Sequence, residues 1–159
     1  MSDFPSPEAL FEQRNQTFDD DLLPDDPPAG YRAYPRSGPY STRNGPQYEM
    51  KADGLYRRAM RIRQRHCNGA GVAHGGGLMA FMDGIMGYTA WTAVNGHTLT
   101  IRMNSDFLHI AKPGDWLEGE ATVTRATKSV VFLDGRLFVG KRDVFRAKAI
   151  FKVMRPRGS

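Results

Sequence analysis

His74-Gly75-Gly76-Gly77-Leu78-Met79-Ala80-Phe81-Met82-Asp83-Gly84-Ile85-Met86-Gly87-Tyr88-Thr89-Ala90-Trp91-Thr92-Ala93-Val94 is the stretch that decides the fold. From Leu78 to Val94 its one charged residue is Asp83. The run predicts a helix over roughly Gly76 to Val94, ended by Asn95-Gly96 as cap and turn. A helix apolar all round must be enclosed on nearly every side. Burying its carboxylate costs about 2–5 kcal/mol unless the group is paired, hydrogen-bonded or protonated. Asp83 is therefore a functional candidate, with a structural carboxylate bonded to nearby backbone as the alternative. Gly77, Ala80, Gly84 and Gly87 share one side of this helix and leave room for another backbone.

The same run has about the length of a membrane span. Asp83 near its middle would cost roughly 2.5–3.5 kcal/mol on insertion scales, and strand-like segments that need a soluble partner follow, so a soluble protein is expected. Those segments alternate. Leu99, Ile101, Met103 and Phe107 fall on one face and Thr98, Thr100, Arg102 and Asn104 on the other. Pro113-Gly114 breaks that strand. Leu117, Ala121 and Val123 mark the next, Val131, Leu133, Leu137 and Val139 the third, and Phe145, Ala147, Ala149, Phe151 and Val153 the last. Before the helix, Gln47 to Lys51 and Leu55 to Ile62 form two strands joined at the hairpin pair Asp53-Gly54. An antiparallel sheet curled round one central helix, an α+β architecture, satisfies all of this.

Upstream, residues 1–44 are rich in Pro, Asp and Gly, with a short helix-like patch over Ala9 to Phe18, and read as an arm rather than a domain; residues 45–155 make the single domain. Eight acidic residues and one basic residue lie in Met1 to Gly30, leaving 21 basic against 9 acidic in the rest. A body of that charge suits a polyanion: a nucleic acid, an anionic membrane surface or a phosphorylated cofactor. No nucleic-acid-binding motif accompanies the charge. Cys67 is alone and no Cys/His spacing of metal-ligand type occurs, so neither a disulfide nor a metal is expected. Met1-Ser2-Asp3-Phe4-Pro5 lacks the basic and apolar segments of a secretory signal, and a cytoplasmic protein is the simplest expectation.

Asn68-Gly69-Ala70-Gly71-Val72-Ala73-His74-Gly75-Gly76, then Asp83, Leu99 to Ala111 and Lys112-Pro113-Gly114-Asp115 resemble the hotdog-fold acyl-CoA thioesterases of the PaaI-like type, over roughly Gln47 to Val153. The asparagine six residues before the histidine and the carboxylate nine after it stand in the family's register. The resemblance implies hydrolysis of an acyl- or aryl-CoA thioester to the free acid and CoA. Coenzyme A is then part of the substrate and no further cofactor is required. It also implies a homodimer with shared sites, pairing into a homotetramer.

Thioester hydrolysis needs donors for an oxyanion and a group that attacks the carbonyl or activates water. Gly75 lies at the helix N-terminus, where its N–H and the positive end of the dipole meet a carbonyl oxygen. By the resemblance Asp83 is the general base or the nucleophile, a choice the resemblance does not settle, and burial raises its basicity toward the working pH. Asn68 either polarises the carbonyl, holds the His74 loop, or serves as a turn residue. Thr100 matches a water-orienting hydroxyl, with an ordinary strand threonine as the alternative. By the resemblance His74 orients the loop and Asn68 rather than acting as base, with a structural histidine as the alternative to a proton carrier, whereas His66, His97 and His109 show no partner pattern. The turn Lys128-Ser129 matches a nucleotide-contacting turn, with Lys112 and Arg125 adding charge; the tail Arg155-Pro156-Arg157 is a weaker candidate. A non-catalytic hotdog sensor of acyl-CoA, which has no need of a buried carboxylate, and a hotdog dehydratase or hydratase are the competing readings.

Gly75 and Asp83 are eight residues apart, roughly 12 Å at 1.5 Å rise per residue. One carbonyl cannot touch both. If the two act together they come from different subunits across a two-fold axis.

Overall fold

The computed structural model describes residues 24–35, 38–52 and 54–154. The patch over Ala9 to Phe18, Asp53 of the expected hairpin and the Arg155-Pro156-Arg157 tail lie outside them. Within the described residues the chain runs β1 (Arg32–Ala33), α1 (Pro39–Arg43), β2 (Tyr48–Ala52), β3 (Leu55–Arg61), a 3-10 turn (Gln64–His66), α2 (Gly75–Val94), β4 (Thr98–Phe107), β5 (Trp116–Ala126), β6 (Val130–Val139) and β7 (Arg142–Val153). The strands form one antiparallel sheet in the order β1-β2-β3-β5-β6-β7-β4, and α2 packs across it. This is the hotdog architecture expected from the sequence. Strands β5 to β7 are a meander, whereas β4, which follows the helix directly, lies beyond β7 at the sheet's edge.

The long helix begins and ends where its residues dictate. His74, in extended backbone, caps its N-terminus, and Asn95 closes its C-terminus at φ 46°, ψ 44°, a left-handed conformation that asparagine tolerates. Leu78, Phe81, Met82, Ile85, Met86 and Ala90 are its buried residues, one stripe at helical spacing. The expectation that α2 is enclosed on nearly every side is therefore not met within one chain. Gly76, Gly77 and Met79 stay exposed on the opposite side. No described helix is long and apolar enough to cross a membrane.

Two glycines in the sheet set how closely α2 approaches. A Cβ at Gly119 would meet Ile85 and lie 2.6 Å from Leu137 Cδ2; one at Gly135 would lie 2.7 Å from both Met82 Sδ and Met86 Cε. The sheet thus opens two saddles, one on β5 and one on β6, into which the helix side chains settle. The remaining core is the inward row of each strand: Leu117 on β5, Val131, Leu133 and Leu137 on β6, and Phe145, Ala147, Ala149 and Phe151 on β7.

Strand β4 departs from simple alternation. Thr100 opposes Phe151, but the next pair is Arg102 with Ile150, so Ile101 is bulged. Because opposed residues share a face, Thr98 and Thr100 lie on the helix side with Met103 and Phe107, while Leu99 points away. The single-face grouping of Leu99, Ile101, Met103 and Phe107 is corrected by that inserted residue.

The described part of the arm is docked, not free. Arg32 and Ala33 add a short strand to β2, carrying the sheet past the expected start at residue 45. Asp25 Oδ1 accepts from Arg63 Nη2 at 2.8 Å and Asp25 Oδ2 from Tyr48 Oη at 2.9 Å, and Arg61 donates to the carbonyls of Asp25 and Asp26. Tyr31 packs edge-on to Trp116 and donates to Glu118 Oε1 at 2.5 Å; burial, and then that carboxylate, push its phenol far above the usual tyrosine range.

The two saddles differ in what fills them. Ile85 and Leu137 are branched and fully buried, whereas methionines move easily. Gly119→Ala is expected to destabilise the protein by about 1–3 kcal/mol and Gly135→Ala by less, both read from urea unfolding midpoints. The reverse order would show that the β5 saddle is not the tighter contact.

Candidate active site

The glycine-rich loop before α2 is a tight turn tied at both ends. Asn68 N–H donates to the Val72 carbonyl and Gly71 N–H to the Asn68 carbonyl, both at 2.9 Å, and His74 N–H donates to the His66 carbonyl at 2.8 Å. Asn68 Oδ1 accepts from Ala70 N–H at 2.9 Å, the geometry of an Asx turn. Its turn role is thus visible. His74 Nδ1 accepts from Gly76 N–H at 2.9 Å, so the imidazole caps the helix through the nitrogen a base would need. His74 thus holds the start of the helix, and no bond joins it to Asn68 among the described residues.

Gly75 is the first helical residue and its N–H has no acceptor within the helix. A Cβ at this position would lie 3.1 Å from Phe107 Cε1, and Phe107 is in turn held edge-on to Phe145 at 5.1 Å. A Cβ here would press on that ring by a few tenths of an ångström, and the half-exposed ring can give; glycine also leaves the helix end open to close approach. Beside this helix end is a cavity of about 420 Å³ lined by His74, Gly76, Gly77 and Phe81 of α2, and by Tyr40, Ser41 and Asn44 of the arm.

Asp83 lies on the same helix, half-buried rather than deeply enclosed. Its Oδ1 accepts from Thr100 Oγ1 at 2.6 Å. The β4 bulge makes this contact: without the inserted Ile101, the threonine would have to change face to remain in register with the rest of the strand. Asp83 and Thr100 line a second cavity of about 460 Å³ with Arg58, Tyr34, Tyr88, Trp91 and Phe151. Asp83 opens on this second cavity, whereas Gly75, two turns away at the helix end, lines neither cavity and faces Phe107.

Lys128 and Ser129 occupy the β5–β6 turn, where Thr127 Oγ1 accepts from the N–H groups of Ser129 and Val130 at 3.2 and 3.0 Å. Val153 N–H donates to the Ser129 carbonyl and Val153 opposes Thr98, which places this turn at the Thr100 end of the fold. Arg125 is beside it on β5. Lys112 is not: it follows Ala111, whose carbonyl accepts from Ala73 N–H, and so sits at the Gly75 end. The four basic-site candidates are therefore split between the two ends of a subunit.

The sequence reading missed two contributions to the cavities. One is the arm, through Tyr34, Tyr40, Ser41 and Asn44. The other is Arg58, 4% exposed on the helix side of β3. Its signal was present, since Arg58 is in phase with Tyr56, Met60 and Ile62, an arginine at an inward position of a strand. Arg58 Nε and Nη2 each donate to Tyr56 Oη at 3.1 Å. Burial pushes the Tyr56 phenol up to about 12, against the pull of the Arg58 charge, so it stays protonated and accepts.

A model of the Thioesterase superfamily matches residues 70–145, a span holding His74, Gly75, Asp83 and Thr100. The Pseudomonas aeruginosa protein named "Putative esterase PA0474" is 33% identical over 127 residues, covering 78% of this chain and 95% of its own length. This chain belongs to the thioesterase superfamily. Thioester hydrolysis is accordingly its reaction class, which sets aside a hydratase. The E. coli PaaI protein from the phenylacetic acid degradation operon shares the thioesterase fold at TM-score 0.62 and 20% identity, over 69% of this chain and 80% of its own. A hypothetical thioesterase protein from Streptococcus pneumoniae TIGR4, solved with coenzyme A, superposes at TM-score 0.64 and 21% identity, over 70% of this chain and 91% of its own.

The hydrogen bond between Thr100 and Asp83 separates positioning from chemistry. Asp83→Asn is expected to abolish most thioester hydrolysis with the fold intact, and Thr100→Ala to slow it about 10–100-fold by loss of positioning. Equal rates for Thr100→Ala and wild type, read by released thiol, would return Thr100 to a strand role.

Proposed function

We propose that this thioesterase hydrolyses acyl-CoA thioesters in sites shared by the two subunits of a homodimer. Asp83 supplies the base or nucleophile, Thr100 orients it and the attacking water, and Gly75 N–H of the other subunit binds the oxyanion. The observation that carries the reading is the Asp83–Thr100 pair at 2.6 Å, whose carboxylate stands on the same helix as Gly75 but opens on a cavity that Gly75 does not line. At roughly 12 Å along the helix axis, no single carbonyl reaches both. An antiparallel pair of α2 helices brings one subunit's N-terminus to the other's carboxylate.

The surface of the single chain supports pairing. β4 is an edge strand with an unpaired side, and Leu99, Ile101 and Phe107 on it are 58%, 56% and 54% exposed. Phe107 on the helix side and the uncovered side of α2 thus lie beside a bare strand edge, an arrangement monomers avoid. Coenzyme A as the thiol is supported by the coenzyme A complex of the pneumococcal fold relative, and by the basic Lys128 turn at the Thr100 end. A sensor would need neither Asp83 nor its threonine.

Mixing two inactive variants tests the shared site. Asp83→Asn removes the base, and Gly75→Pro removes the N–H at a first-turn position where proline fits the helix. Refolded together, half of the dimers are mixed and each keeps one intact site, so activity returns to about a quarter of wild type. Absence of recovery, with mixed dimers confirmed by mass, would place both residues in one subunit's site.

Lys128 has its own test. Phosphate contacts at an exposed turn are screened over about 8–10 Å at ordinary salt, so Lys128→Ala is expected to raise KM for CoA esters and not for a pantetheine thioester lacking the phosphates. An equal rise for both would detach this turn from nucleotide binding.

A further inference from the structure

Arg58 is a buried cation with no carboxylate of its own. Its side chain is 4% exposed and stacks on Tyr34, the guanidinium carbon 3.8 Å from the ring centroid. Two of its nitrogens donate to the neutral Tyr56 hydroxyl. Nη1 extends to α2, lying 3.0 Å from where a Cβ of Gly84 would be. The glycine after Asp83 thus leaves room for an arginine head, not for the backbone expected from the small-residue spacing. No ion pair joins Arg58 to a carboxylate among the described residues.

The neighbouring carboxylates are otherwise engaged. Glu49, opposite Arg58 on β2, is bonded to Arg32 at 2.8 Å, with Lys51 at 3.9 Å. Asp83 is bonded to Thr100. Lys51 also reaches the cavity wall, donating to Tyr88 Oη at 2.7 Å. Of the residues lining this cavity, Arg58 and Asp83 are the charged ones. A guanidinium withdrawn from water and bonded only to a neutral hydroxyl is completed by an anion, and this one opens on the cavity that holds Asp83 and Thr100.

We propose that Arg58 binds a carboxylate at the far end of the acyl group, so that this thioesterase prefers CoA half-thioesters of short dicarboxylic acids. The inference rests on the reading of Asp83 and Thr100 as the hydrolytic pair, which fixes the thioester carbonyl beside them. The acyl group then points along the cavity toward Arg58, past the apolar faces of Tyr88, Trp91 and Phe151. The CoA phosphates do not fill the role. They lie a pantetheine arm away from the carbonyl, on the order of 14 Å for some four peptide-length units, and Arg58 is beside Gly84, next in sequence to Asp83. A guanidinium also matches a carboxylate in a way an ammonium does not, through two parallel N–H bonds.

Three thioesters of matched length decide it with the full chain: adipyl-CoA, its terminal methyl ester, and heptanoyl-CoA. The wild-type protein is expected to show kcat/KM about tenfold or more higher for adipyl-CoA than for either neutral thioester, with the difference in KM, the size of one charge-assisted hydrogen bond. Arg58→Met is expected to collapse or invert this ratio, and Arg58→Lys to keep part of it. A wild-type ratio of one or less, or a ratio unchanged in a folded Arg58→Met, overturns the proposal while leaving the thioesterase reading intact. Should Arg58→Met fail to fold, the methyl ester comparison on wild type decides alone. Should none of the three be hydrolysed, it is the hydrolytic reading that fails. Calorimetric binding of the same three then decides the role of Arg58, tighter adipyl-CoA binding upholding it and equal binding overturning it.

Discussion

The packing of Ile85 over Gly119 and of Met82 and Met86 over Gly135 is the contact on which the rest of the molecule depends. It fixes not only how near α2 comes to the sheet but how the helix is rotated about its axis. At about 100° per residue, turning Met82 and Met86 to the sheet sends Asp83 to the β4 flank and Gly84 to the outer side. The first meets Thr100 and the second makes way for Arg58. Seven residues before Met82, two turns back, Gly75 comes round to the sheet side and rests on Phe107. A side chain at either saddle would shift all of these together, because a close-packed interior does not absorb a displaced helix locally.

What the residues disclose of this arrangement follows from how far each signal reaches. The helix, its Asn95 end, the inward rows of β5 to β7 and the spacing of His74, Gly75 and Asp83 are local patterns, and the structure reproduces them. The β4 bulge is not such a pattern. Leu99 and Ile101 are both apolar, so the alternation continues across the inserted residue without a visible break, and the opposing strand alone shows that Ile101 is extra. Yet that insertion carries Thr100 to Asp83. Arg58 is the converse case: its inward phase is plain in Tyr56, Arg58, Met60 and Ile62, but only the fold shows that Gly84 stands before it.

Charge segregation along the chain likewise has a local use. The acidic start and basic body invite a polyanionic partner, and the described arm shows some of that charge spent internally. Asp25 lies in a nearly buried pair with Arg63, and its carbonyl and that of Asp26 take up Arg61. On the outer face of the sheet Glu120 joins Arg57 and Arg136, and Asp143 joins Arg136 and Arg146. Burial alone would push Glu120 up, but its two arginines outweigh it and hold the carboxylate below its ordinary value; Asp143 is held down first by its bonds from Arg146.

The helix carries more apolar surface than one sheet can use. Its buried stripe is Leu78, Phe81, Met82, Ile85, Met86 and Ala90, an ordinary one-sided set, yet its other residues are apolar or small as well, apart from Asp83. That excess, with the bare edge of β4, is the surface the proposed dimer would cover. In the proposed dimer the same pairing that covers Met79 and Leu99 brings Gly75 of one subunit toward Asp83 of the other, and so removes bulk water from the carboxylate at the moment its partner donor arrives. Electrostatic interactions in such a site strengthen as water leaves it. Assembly and chemistry are then one constraint, since a monomer that kept Asp83 and Thr100 would hold half of each site, open to solvent and without an oxyanion donor.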